Sequence, residues 1–255
     1  MIKSITSKEN KIIKLVTSLQ KRSYRNSHGL FVVEGKRICD EAFLWFKQYI
    51  SFVLISESYY TKNPELSMVC DTYKLPDSLF SFVCGTETPQ GIMAVVQIPA
   101  NSDKLKSDNI LILDGISEPG NMGTILRTAE AMGFCDIFIT KGSVDVYSPK
   151  VVRSTMGSIF RLNFHFEENT DFISNLKNSG YQIIATALKN SVSLETVVPL
   201  EKNAIVIGNE AKGVSDAILN NSDIITKIDM CGNSESLNAA VAAGIVMYRL
   251  SKKEL

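Results

Sequence analysis

"ILILDGISEPGNMGTILRTAEAMG", residues 110–133, is the stretch on which the fold turns. Four apolar residues run without a break into Asp114. A continuous apolar run is what a strand needs when both faces of its sheet are covered. A loop with Gly115, Pro119 and Gly120 follows, and then Met122, Ile125, Leu126, Ala129 and Met132 recur at helical spacing. In a parallel sheet such a loop lies at the carboxyl end of its strand, where ligands bind. The helix beginning there has free backbone N–H groups and suits an anion. "DIFIT" (136–140), "QIIATA" (182–187) and "AIVIG" (204–208) repeat the buried-strand pattern with loops and helices between them. That alternation predicts a doubly wound α/β domain with a parallel sheet.

Upstream, "PANSDKLKSDN" (99–109) is polar and aperiodic, and reads as a linker. The part before it has a different texture. Residues 7–22 read as one amphipathic helix with Ile12, Val16 and Leu19 on its apolar side. "GLFVVEG" (29–35) reads as a strand and "KRICDEAFLWF" (36–46) as a helix. Further apolar runs stand at 50–55, 67–70, 81–84 and 91–98, with helical or turn material between them. The expected organisation is a small α/β domain over 1–100, a linker over 101–109 and the parallel-sheet domain over 110–255.

The 255 residues are 45% hydrophobic and 21% charged, as in globular rather than disordered chains. No apolar run approaches the roughly 20 residues that span a bilayer. The charged first residues lack a signal-peptide core, so a cytoplasmic protein is expected. Five scattered cysteines and two histidines form no ligand pattern, so no metal is expected, and most of the cysteines read as core packing. The net charge is zero but uneven. The first 25 residues hold seven cations against Glu9 alone, a local +6 that the remainder balances. This is either a phosphate-binding surface or a solvated helix face.

Three motifs carry candidate chemistry. In the first, Gly115 and Gly120 have P-loop spacing, but Asn121-Met122 stands where Lys-Ser/Thr is required. Gly120 and Gly123 supply only part of a dinucleotide fingerprint, and "FITKG" ends without the acidic residue that holds a ribose. These absences disfavour a nucleotide-cofactor oxidoreductase. Asn121 and Arg127 remain. Arg127 is a lone cation in an apolar helix, either snorkelling to solvent or offering its fork to a phosphate. The second motif, "AIVIGNEAKGVS" (204–215), puts Glu210 just past a buried strand, as a site residue or a turn carboxylate. The third, "MCGNSESLNAAVAAGIVMYRL" (230–250), is a polar loop and then a helix from about Ser236, capped by Ser234 or Ser236. Its Ala- and Gly-rich middle implies an element packed close to the backbone. Val241, Ile245 and Tyr248 form a separate, larger stripe.

In this order and at these separations, N-x-G-x-x-x-R at 121–127, the Gly-Asn-Glu motif at 208–210 and Ser-Leu-Asn at 236–238 resemble the SpoU/TrmH family of the SPOUT superfamily, RNA ribose 2′-O-methyltransferases. "HGLFVVEGKRICDEA" and "TPQGIMAVV" resemble the L30e-like RNA-binding domain that precedes the catalytic domain in ribosomal-RNA members. The resemblance implies a parallel-sheet α/β domain with a deep trefoil knot, an exception among folds. It implies S-adenosylmethionine as cofactor, structured RNA as substrate (ribosomal before transfer RNA) and a homodimer formed through the knotted domain. By the same resemblance Arg127, Asn121, Glu210, Ser236 and Asn238 are the catalytic positions. Gly208, Asn209, Ile228, Met230 and Leu237 are the cofactor contacts. The basic N-terminal residues Lys8, Lys11, Lys14, Arg22 and Arg25 are the candidate RNA contacts. Asp229 stands where relatives have Pro, a change expected to loosen the cofactor loop. A non-catalytic RNA-binding or assembly factor is the competing class, disfavoured because every polar site position is present.

Overall fold

The computed structural model describes residues 2–63, 70–100, 104–233 and 235–251. By contact the chain forms two compact units, Met1–Ala100 with Asp145–Phe160, and Asn101–Val144 with Arg161–Leu255.

The first unit contains β1 (Ile2–Ser4), α1 (Lys11–Ser18), α2 (Arg22–His28), β2 (Leu30–Glu34), α3 (Lys36–Trp45), β3 (Ile50–Ser56), α4 (Glu57–Lys62), β4 (Thr72–Leu75), α5 (Asp77–Val83) and β5 (Ile92–Gln97). Its sheet runs β1-β4-β3-β5-β2, with β5 antiparallel to both neighbours and the other pairs parallel. Ile13, Val16 and Leu19 pack with Leu79, Phe80 and Val83 of α5 on one sheet face. Full burial of each contributes roughly 1.5–3 kcal/mol. Ile38, Cys39 and Ala42 of α3 are buried as well. The apolar run at 81–84 belongs to α5 and its C-cap, and the run at 67–70 lies almost wholly outside the described residues.

The helix expected over 7–22 forms only over Lys11–Ser18, and a second helix begins at Arg22. Asn10 Oδ1 accepts from Ile12 N at 2.9 Å and caps α1. The break after Ser18 is held by Arg25, whose Nη1 donates to the carbonyls of Leu19 (2.7 Å) and Gln20 (2.9 Å). Its Nε and Nη2 both donate to Asp145 Oδ2, at 2.9 and 2.6 Å. Ile13, not Ile12, is the fully buried member of the stripe. Of the five cysteines only Cys39 is buried, so the expectation that most are core does not hold.

The second unit contains β6 (Asn109–Asp114), α6 (Pro119–Ala131), β7 (Asp136–Thr140), β8 (Asn163–Glu167), α8 (Asp171–Asn178), β9 (Gln182–Thr186), β10 (Val192–Ser193), β11 (Asn203–Gly208), α9 (Asp216–Leu219), β12 (Ile224–Lys227) and α10 (Ala239–Ser251). The intervening α7 (Pro149–Ser154) lies in the first unit and packs against β2. All seven strands are parallel, in the order β10-β12-β9-β11-β6-β7-β8. The chain builds outward from β6 to β8, then crosses to the other side and returns β11 beside β6. β6 and β11 therefore flank the point where the winding reverses, and the loops after them open a crevice. α8 buries Phe172, Ile173 and Leu176 against Ile110, Ile112, Ala204 and Val206. α6 and α10 pack on one another, and α10 also meets β11.

The stretch read as a linker is fastened to this unit. Asp136, fully buried, accepts from the backbone N–H groups of Lys106 (2.6 Å) and Ser107 (2.8 Å), from Asn163 Nδ2 (2.7 Å) and from His165 Nε2 (3.1 Å). Burial pushes this carboxyl's pKa up, but these bonds outweigh it and hold it below its ordinary value.

Candidate active site at the carboxyl ends of β6 and β11

Gly208 ends β11 with no room for a side chain. A Cβ there would stand 2.1 Å from Val214 N and 2.2 Å from Gly213 C, both backbone. The chain doubles back at once, Asn209 and Gly213 exchanging N–H···O bonds of 3.0 and 2.9 Å. Asn209 Oδ1 accepts from Ala211 N and Lys212 N, and its Nδ2 donates to Gly115 O at 2.7 Å. Asp114, at the end of β6, accepts from Ser215 N at 2.7 Å and from Thr140 Oγ1 at 2.8 Å. The two loops are thus stitched together, and Glu210 projects from the turn toward the start of α6.

There its carboxylate collects donors. It accepts from Ser117 Oγ (2.9 Å), Ser117 N (3.2 Å), Glu118 N (3.2 Å) and Asn121 Nδ2 (2.9 Å). Burial raises the Glu210 pKa. The bond from Asn121 and those from backbone N–H groups outweigh that effect and pull it down to about 2. Glu210 is therefore ionised throughout the neutral range and organises the loop; it takes up no proton there.

The chain of bonds continues from Asn121. Its Oδ1 accepts from Asn238 Nδ2 at 2.9 Å. Asn238 Oδ1 in turn accepts from Ala240 N (2.9 Å) and Val241 N (3.3 Å), capping α10. Each amide has one consistent orientation. A carboxylate only accepts, so Asn121 turns its NH₂ to Glu210 and its oxygen to Asn238. Asn238 must then donate to Asn121, which leaves its oxygen for the helix. Three motifs separated by as many as 117 residues become one network. The expected cap by Ser234 or Ser236 is not what forms; Asn238 has that part, and Ser234 lies outside the described residues.

Beside this network is a cleft of about 140 Å³ between the ends of β9 and β12 and the start of α10. Ile228, Met230, Ser236 and Leu237 line it, together with Leu188 and Ala242. Gly208 and Asn209 do not line it; they shape the adjoining turn. Asp229 accepts a short hydrogen bond from the Ser193 hydroxyl. Where a looser loop was expected, this bond ties Asp229 to Ser193. The apolar wall suits a flat heteroaromatic ring; the Thr186 and Thr226 hydroxyls donate to the Val206 and Val192 carbonyls, and Ser236 stands at the rim. A larger cleft of about 490 Å³ is lined by Asn109 and Asn203, the first residues of β6 and β11. It lies at the amino ends of the strands, away from the converging polar groups.

Arg127 is exposed on α6 and makes no hydrogen bond or ion pair with the described residues. Its fork stays open, outside the Glu210–Asn121–Asn238 network. Among the N-terminal cations, Lys8, Lys11, Lys14 and Arg22 are exposed. Lys14 pairs with Glu9 at 2.5 Å. Arg25 does not fit the expected phosphate contact: it is 3% exposed and its donors are spent on Asp145, Leu19 and Gln20. Sequence reasoning missed Ser117 and Asp114, whose partners lie 93 and 101 residues away.

The chain is similar to known proteins. The profile of the SpoU rRNA Methylase family matches residues 108–248, and that of the MRM3-like substrate binding domain matches residues 10–94. A Bacillus subtilis protein, the 23S rRNA (guanosine(2553)-2'-O)-methyltransferase RlmP, is 33% identical over 251 residues, 98% of this chain and 99% of its own. The AdoMet-bound rRNA methyltransferase of Sinorhizobium meliloti superposes with a TM-score of 0.86 at 26% identity, covering 98% of this chain and 97% of its own. The SpoU methyltransferase AviRb of Streptomyces viridochromogenes, in complex with AdoMet, gives a TM-score of 0.84 at 25% identity, covering 95% of this chain and 97% of its own. Matched by the family profile over more than half its length and by a relative at 33% identity end to end, the chain belongs to the SpoU rRNA methylase family.

Proposed function

We propose that this chain methylates a ribose 2′-hydroxyl in RNA, ribosomal RNA in the first place, with S-adenosylmethionine as donor. The observation that carries the reading is the network from Glu210 through Asn121 to Asn238, which joins three motifs beside the cleft of Ile228, Met230 and Leu237 while leaving Arg127 open. S-adenosylmethionine supplies a methyl group activated by a cationic sulfur. Ile228, Met230 and Leu237 would hold its apolar ring, with Ser236 and the turn at Gly208 and Asn209 at the polar edge.

The chain must then align a hydroxyl oxygen and manage its proton. Arg127 is no ordinary base, because a guanidinium stays protonated. Its fork grips the phosphate beside the target ribose and stabilises the developing alkoxide. The proton passes to that phosphate or to a water. Glu210, permanently ionised, holds Asn121, and Asn121 holds Asn238 at the start of α10.

A homodimer belongs to this reading. Val241, Ile245 and Tyr248 stand exposed on α10 along a groove shared with Thr124, Thr128 and Met132 of α6. A second copy would cover that apolar face. The knotted course that the family resemblance implies belongs to the same reading, in which Ile228, Met230, Ser236 and Leu237 meet along one cleft. A cytoplasmic site of action belongs to the proposal as well; no helix of the described residues is long and apolar enough to cross a membrane.

The test is transfer of labelled methyl to RNA from cells lacking the protein, with mapping of the modified ribose. Arg127→Ala is expected to lower turnover by at least about 100-fold, the scale of losing one transition-state donor, with cofactor affinity unchanged. Loss of cofactor binding in that variant with RNA binding intact would overturn the assignment.

A further inference from the structure

We infer that Phe82, on the surface shared by α1 and α5, is a stacking platform for an unpaired base of the RNA substrate, with Lys8 and Lys11 meeting the adjacent phosphates. The inference rests on the RNA-methylating reading and says which face of the first unit the substrate takes. α5 turns Leu79, Phe80 and Val83 into the core, and Phe82 the other way. It is 48% exposed, although no packing requirement puts a phenyl ring in water there. Ile13, Val16 and Leu19 of α1 enter the same core cluster, so the outward sides of the two helices lie side by side.

That outward surface is basic. Lys8 Nζ sits 4.3 Å from the centroid of the Phe82 ring. Lys8 and Lys11 make no ion pair among the described residues, and Lys14 is neutralised by Glu9. Lys3 lies over Tyr73 at 5.9 Å, at the β1 edge of the same core cluster. An exposed aromatic ring with Lys8 against it and Lys11 three residues on, neither in an ion pair among the described residues, is a combination that binds single-stranded nucleic acid: every base has a π face, and every nucleotide a phosphate. A base within a duplex has both faces covered, so the surface selects loops and bulges. On binding, the Lys8 ammonium leaves the ring for a phosphate and the base takes its place. The exposed cation–ring contact is the weaker of the two, so the exchange runs forward.

The experiment uses the full chain and two fluorescent probes, a mixed-sequence single-stranded RNA of about a dozen nucleotides and a duplex of the same length, chosen to cover one stacking surface. Phe82→Leu is expected to weaken single-strand binding about 10-fold, leaving duplex binding and the slope of log K against log salt unchanged. Phe82→Tyr should retain wild-type affinity. Lys8→Gln should instead flatten the single-strand slope by about 0.7. Wild-type single-strand affinity in Phe82→Leu, or an equal loss on both probes, overturns the proposal. Neither outcome touches the methyl-transfer reading, which fails separately if the wild-type chain transfers no methyl group to RNA.

Discussion

Glu210 is the residue whose chemistry the structure changes most. As sequence it is an acid after a strand; in place it is a carboxylate held near pKa 2 by Asn121 and by backbone donors, against the opposing effect of burial. Because the folded value lies below the ordinary 4.5, its stabilising effect is complete above that pH and fades as pH falls toward 2. Glu210→Gln should therefore unfold at a lower temperature than wild type at neutral pH, and the gap should close between about pH 4.5 and 2. A gap that persists at pH 2 would mean that the ionised form is not what the network needs. Asn121, Arg127, Glu210 and Asn238 were legible as residues because each sits in a short motif. Arg25 was not. Nothing in a run of lysines and arginines says which one turns inward, since its partner Asp145 is 120 residues away. Removing one side of such a buried pair costs roughly 3–5 kcal/mol, which is why Arg25 cannot also serve a phosphate.

Among the elements, α10 departs most from its sequence reading. Its cap is Asn238, whose oxygen accepts from Ala240 N and Val241 N while the same amide satisfies Asn121. Asn238→Ala should cost about 1 kcal/mol of stability, a typical cap loss, and lower transfer as well. Asn238→Asp separates the two effects. It keeps the cap, but it sets a second acceptor against Asn121 Oδ1, which Glu210 holds in place. Thermal unfolding near wild type with transfer lost is expected; normal transfer would remove Asn238 from the orienting network. Gly244 corrects another expectation. A Cβ there would meet Thr128 Cγ2 at 3.7 Å, an ordinary contact, so no element among the described residues demands the glycine. The same scale explains the broken N-terminal helix, since α1 ends where Arg25 takes the Leu19 and Gln20 carbonyls.

For the whole molecule, the apolar face of α10 and α6 is the exposed surface that the proposed dimer covers. Val241 is 52% exposed, and it meets the Glu210–Asn121–Asn238 network through its backbone N–H, not its side chain. Val241→Glu is expected to convert a dimer to a monomer by light scattering, with cofactor binding retained in the monomer. A wild-type chain that is monomeric at micromolar concentration, or a variant that still dimerises, would sink the dimer. The division into units is also a whole-molecule fact. Residues 145–160 follow β7 in sequence yet belong to the first unit, held by Asp145 on Arg25 and by Arg153 near Glu34 at 3.8 Å.

What the sequence by itself determined was the class of sheet and the place of the candidate site. β6, β7, β9 and β11 are continuous apolar runs because both faces are covered, and such runs need no partner to be recognised. The motifs were legible because glycines, an amide and an arginine at fixed spacing mark a strand-end loop. β1, β4 and β10 escaped notice because they are short and partly exposed, and β8, as long as β7, because its two phenylalanines alternate with polar residues; their pairing, not their composition, makes them strands. Only the tertiary structure decided that β11 returns beside β6, which sets Glu210 on Ser117 and Asn121, and Asn121 on Asn238. The physical reason is that hydrogen bonds are directional and act over about 3 Å, so their partners are chosen by strand order, which local sequence does not carry.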